Sequence, residues 1–238
     1  MILPHIRASF TRADALHLVA LLGRSDRELR RAARERLETE GLDALLDDPR
    51  VRNALLTEAD VEAPPGLVFY VLVRQALLEG GVDDPSSADF VASLVMAFGT
   101  ARRAWRVSEA EEEEYGYLTD LVAQLREADS QRAFLVRSHL GNYSLWLAGL
   151  FPDWLARRRR LKGAPGLDYY DQMGAGGYRA AARSEQARTL QVDSVLEGLG
   201  RSFPRVRVAL NRLAERHLWP GTGDPVERML RDVQREAN

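Results

Sequence analysis

The chain contains no cysteine, a single lysine and four histidines, and each scarcity removes a class of chemistry. Without thiols there is no disulfide framework, no cysteine nucleophile and no cysteine-ligated zinc or iron–sulfur centre. The histidines are His5, His17, His139 and His217, and none has a glutamate three residues before it. The paired Glu-x-x-His units of a di-iron carboxylate bundle are therefore missing. Asp14 and His17 come nearest, as one copy at the start of one helix. There is no His-Glu-x-x-His and no Gly-x-Ser-x-Gly around any serine. No metal and no cofactor is expected.

Long apolar runs are also lacking. The longest, Gly66 to Val73, falls far short of the roughly 20 residues a membrane-spanning helix needs. The opening MILPHIRASF does not read as a signal peptide, because Pro4 and His5 interrupt it before an apolar region develops. A cytoplasmic address is the expectation. Charge of one sign is not in surplus either: 33 basic against 35 acidic residues give a net charge of -2. A dedicated polyanion binder carries a basic excess, so no specific nucleic-acid partner is expected. Lys162 apart, every basic residue is arginine. GC-rich coding produces that bias, and so would selection for bidentate anion binding.

What remains is the composition of an ordinary globular chain, 45% hydrophobic and 29% charged over 238 residues, enough to bury a core. Helix signals recur from end to end and strand signals hardly appear. Thr11 with Asp14 and Ser25 with Glu28 have capping-box spacing, while Gly23 and Gly41 fall where left-handed helix caps belong. SDRELRRAARERLETEG is charged nearly all round and laced with opposite charges three and four apart, so it should lie on the surface. Helices are also expected over Leu42–Leu46, after Pro49, from Gly66, from Ser86-Ser87, behind the glutamate run Glu111–Glu114, over Ser130–Leu150, and over Phe203–His217 and Pro225–Ala237. The stretch EADVEAPPG is the clearest break, dividing an N-terminal helical extension (1–63) from a main bundle (64–238), the alternative being one continuous domain. The fold expected is all-α, a bundle of about ten helices without substantial β-sheet.

Two segments could carry a site. In FLVRSHLGNYSLWLAGLF, His139, Asn142, Tyr143 and Trp146 share one helical face, and Arg137, Gly141, Ser144 and Ala148 form a second, mostly small stripe. Polar groups inside such a helix must find partners, such as Asp168, Asp171 or a tyrosine of the next helix. A structural network satisfies that demand. So does a pocket between the 130–150 and 167–183 helices, in which Arg137, Asn142, Tyr170 and Tyr178 bind an anionic molecule. In an enzyme of this kind His139 would act as acid or base, with Tyr143 and Asp168 orienting it. In DYYDQMGAGGYR, Gly174, Gly176 and Gly177 would each weaken a helix, which calls for close packing, a kink or backbone approaching a ligand. Asp83, Asp84 and Asp89 resemble half of an aspartate-rich magnesium motif, but Pro85, Ser86 and Ser87 read as a turn and helix cap.

The basic run Arg157–Lys162 suits a helix C-terminus, or with Trp154 a docking surface for an acidic partner. Exposed Trp154 or Trp219 would favour a homodimer.

The stretches GNYSLWLAGLFPDWLARRR and GLDYYDQMGAGGYRAAA are similar to segments of an uncharacterised bacterial all-α protein family. The matching residues are Gly141, Asn142, Tyr143, Leu145, Gly149, Phe151, Pro152 and Asp153, then Tyr169, Tyr170, Gly174 and Tyr178. The resemblance implies that this helix–turn–helix unit defines the group, and it carries no activity. The functional expectation is a ligand-binding or protein-interaction module, the alternative being an enzyme for a small anionic substrate.

Overall fold

A computed structural model describes residues 2–24, 26–57, 63–99, 103–107, 114–115 and 117–218. Among them are twelve α-helices and no strand. The chain is an all-α multi-helix bundle, and no helix among the described residues is long and apolar enough to cross a membrane.

Local signals account for most helix starts. A capping box opens α1 (Arg12–Leu22): Thr11 N–H donates to Asp14 Oδ2 (2.7 Å), and Asp14 N–H donates to Thr11 Oγ1. In α2 (Arg27–Thr39) the cap is Asp26, one residue beyond the expected Ser25, which lies outside the described residues. Its carboxylate accepts from the N–H groups of Glu28 and Leu29. As its charge pattern requires, α2 buries only Ala33. Gly23 is not a left-handed cap; its φ is -100°. It is needed because a Cβ there would stand 2.1 Å from that of Arg30, where α2 crosses close by. Gly41 does have positive φ (85°), leading into α3 (Leu42–Leu46), which is followed by α4 (Pro49–Thr57).

Beyond the linker, of which 58–62 lie outside the described residues, come α5 (Pro65–Glu79) and α6 (Pro85–Phe98). Residues 108–113, with most of the glutamate run, lie outside the described residues; Glu114 is not helical, and α7 begins at Leu118 (Leu118–Gln124). Then come α8 (Ser130–Leu150), α9 (Pro152–Lys162), α10 (Leu167–Ala182), α11 (Glu185–Thr189) and α12 (Asp193–Leu213). The helix expected from Phe203 is thus the second half of α12, which runs through Pro204 and ends in a π turn, Ala214–Leu218. The expected Pro225–Ala237 helix and Trp219 lie outside the described residues.

Helix α8 is the axis of the bundle, buried almost continuously from Ser138 to Leu150, with α10 and α12 packed along it. Glycines set that spacing. A Cβ on Gly177 would meet the Arg137 carbonyl at 2.7 Å, and one on Gly141 would strike the Tyr178 ring at 2.4 Å. Gly174 lies as tightly against Phe203 of α12 (2.2 Å), and Gly149 against Leu210 (2.9 Å). Close packing is therefore the reason for Gly174 and Gly177, and the segment is helical throughout.

The buried core runs without interruption from Ile6, Leu18 and Leu45 to Leu77, Phe90, Leu145 and Phe203, on both sides of Pro64. Polar ties reinforce the join. Asp89 Oδ1 accepts the N–H groups of Ile6 (2.9 Å) and Arg7 (3.0 Å), fastening the N-terminal segment to α6. Arg74 of α5, itself buried, binds Asp47 through two bonds of 2.7 Å and Asp83 at 2.6 Å.

The glycines make a test. Nothing lies within 4 Å of a Cβ built on Gly176, so Gly176→Ala should stabilise the protein by about 0.5–1 kcal/mol through helix propensity. Gly177→Ala must push backbone apart and should destabilise it by about 1–3 kcal/mol, both read by urea unfolding.

Candidate functional site

The residues singled out on α8 and α10 do not share one pocket. His139 and Tyr143 face an aromatic cluster formed with Phe98, Trp105 and Trp146. The His139 imidazole stacks on Tyr143 (centroids 6.1 Å, 23° between planes) and bonds to the Ala104 backbone, while its Nε2 is buried without a partner. Burial first, then the neighbouring Arg103, pushes its pKa down to about 3. Burial likewise holds the Tyr143 phenol far above its usual value. Both rings stay neutral through the physiological range and are closed off from solvent, at 2% exposure each.

Asn142 and Tyr178 face the other way, into the α8–α10 interface. There the Tyr178 hydroxyl donates to Asn142 Oδ1 (2.9 Å), so this one polar pair is satisfied across the two helices, while Ser144 Oγ is buried beside it without a partner. Tyr178 is fully buried, its ring edge-on to Phe90 and tilted against Phe203. At Gly141, Gly174 and Gly177 this interface is filled to backbone contact. Tyr170 is buried, Arg137 half-buried, and Asp168 exposed in the first turn of α10. Asp171 forms a two-point ion pair with Arg207 of α12 (2.7 and 3.0 Å).

The three aspartates near α6 are each occupied. Asp83 holds Arg74, Asp84 caps α6 by accepting the N–H groups of Ser86 and Ser87, and Asp89 holds the N-terminal segment. No group of three His, Asp or Glu side chains among the described residues is placed to hold a metal. In the basic run, Arg158 stacks on Trp154 (4.7 Å) and near Tyr117 (5.8 Å).

A concave site lies elsewhere, between α4, α5 and the end of α12. Arg52 of α4, Glu79 of α5, and Arg212, Arg216 and His217 of the α12 end and its π turn line a shallow depression that opens to solvent. The floor is apolar: Leu72, Ala76 and Leu213. Glu79 is shared, Oε1 taken by Arg52 and Oε2 by Arg216 (2.9 Å), which holds its carboxyl below the usual range. Arg212 is exposed and has no ion-pair partner among the described residues. Half-buried His217 is lowered by burial and by Arg52 and Arg216, against the opposing pull of Glu79. Sequence reasoning missed this groove because its parts are about 160 residues apart and ordinary in isolation. The one local signal was the four-residue spacing of Arg212 and Arg216.

No protein-family model, curated protein or solved structure matches the chain.

Two consequences are measurable. His139 has a folded-state pKa below its unfolded value, so its contribution is complete above about pH 6.5 and is lost as pH falls toward 3, at about 1.4 kcal/mol per pH unit. Acid unfolding of His139→Gln should therefore show a shallower loss of stability between pH 6 and 4.5 than the parent. Tyr178→Phe leaves the Asn142 amide unpaired in the core and should cost about 1–3 kcal/mol in chemical denaturation.

Proposed function

We propose that the chain is a non-enzymatic ligand-binding module that takes a small anionic group in the groove between α4, α5 and the end of α12. The observation that carries this reading is that three arginines line one depression in which, among the described residues, there is a single carboxylate. Arg74, by contrast, is matched by Asp47 and Asp83, and Arg207 by Asp171. Here Glu79 is divided between Arg52 and Arg216, each guanidinium keeps N–H donors to spare, and Arg212 is uncommitted. The apolar floor gives an adjoining carbon skeleton somewhere to rest.

An enzyme built on His139 and Tyr143 finds less support. His139 Nε2 is sealed in an aromatic cluster, and Arg137 and Asp168 are not gathered around it. The cytoplasm remains the setting we propose, on composition alone.

Titration with sodium sulfate at constant ionic strength, followed by heteronuclear NMR, tests the reading. The expected result is saturable shifts at groove residues, with Arg212→Ala weakening binding by about tenfold, the scale of one charge-assisted contact. Arg160→Ala, on the exposed basic run, should bind like the parent. Shifts that fail to saturate, or that follow Arg160 instead, would remove the groove as the site.

A further inference from the structure

We propose that the groove is built for a dianionic, phosphate-type group and that His217 takes up a proton as the group binds, an inference that rests on the anion-binding reading above. The charge count comes first. Among the described residues, Arg52, Arg212 and Arg216 line the groove with one carboxylate, Glu79, an excess of two positive charges before His217 is counted. A dianion cancels them, whereas a carboxylate or other monoanion leaves one unpaired. Geometry is the second point. The carboxylate of Glu79 is spent on holding Arg52 and Arg216, which come from opposite walls, so both guanidinium groups are positioned before any ligand arrives. Such advance positioning lowers the ordering cost of binding, and guanidinium forks suit tetrahedral oxyanions.

His217 lies at the edge of this array, on a π turn, a rare local structure that concentrates at functional sites. The charged groups that line the groove with it are Arg52 from α4, Glu79 from α5, and Arg212 and Arg216 from its own element. In the empty groove burial and the guanidinium groups of Arg52 and Arg216 oppose its protonation, and Glu79 favours it. A bound dianion offsets the guanidinium charges and adds negative charge beside the ring. Both effects favour the imidazolium. By linkage, a ligand that raises proton affinity binds more tightly when protons are plentiful, so affinity rises as pH falls.

Sulfate is the suitable probe, since it remains a dianion from pH 5.5 to 8 and any pH dependence then belongs to the protein. Methanesulfonate has the same tetrahedral shape with one charge. Isothermal titration of the full chain should show sulfate binding more tightly than methanesulfonate. Its affinity should increase between pH 8 and 5.5, by tenfold for each unit by which the anion raises the His217 pKa. Titrations near pH 6.5 in buffers of different ionisation enthalpy should show net proton uptake by the unmutated protein. In His217→Gln, with folding checked by circular dichroism, the affinity ratio between the two pH values should collapse toward one. Equal binding of the two anions, or an unchanged pH ratio in His217→Gln, would overturn this inference and leave the groove as an anion site. Absence of binding by either anion at every pH would overturn the anion-binding reading itself.

Discussion

At Gly177 the backbone of α10 meets that of α8, where an added methyl group would stand 2.7 Å from the Arg137 carbonyl. That approach governs much of what surrounds it. With α10 so near, the Tyr178 ring lies across Gly141, and its hydroxyl arrives at the Asn142 side chain. With the ring in place, Phe203 can close over Gly174 from α12. Three helices are thus locked in register by residues too small to occupy space and by one phenol that fills it. Burying a polar pair inside this contact adds specificity of register, because sliding the helices would leave both groups without partners.

Much of this was legible in the sequence. The Ser130–Leu150 helix carries small residues at helical spacing and polar groups that had to be satisfied internally, and the next helix supplied both the close approach and the tyrosine. The capping box at Thr11 and the surface character of α2 are properties of neighbours in the chain, so they could be read without tertiary information. Boundaries proved harder. The start of α12 and its passage through Pro204 depend on packing against α8 and α10, which a breaker-based reading of proline does not register. Gly23 was assigned to backbone conformation when its reason is steric, the proximity of Arg30 across a turn.

The site residues divide along the same line. Sequence spacing groups His139, Asn142, Tyr143 and Trp146 on one face of α8, and all four are buried, but a buried helix has several neighbours and spacing does not say which one each residue meets. His139 and Tyr143 met aromatic rings, Asn142 met Tyr178, and Asp168 met solvent. The groove at Arg52, Glu79 and Arg216 is the opposite case, a group of unremarkable surface residues made into a concavity by tertiary contact alone. In a chain where nearly every cation is arginine, composition cannot mark the few that are gathered.

The glycines of α8 and α10 have one more implication. Gly141, Gly174 and Tyr178 are each demanded by the way two rods lie against each other. A text pattern drawn from them is a description of shape. Proteins gathered by such a pattern would share a scaffold, and could differ freely in whatever the rest of their surfaces do.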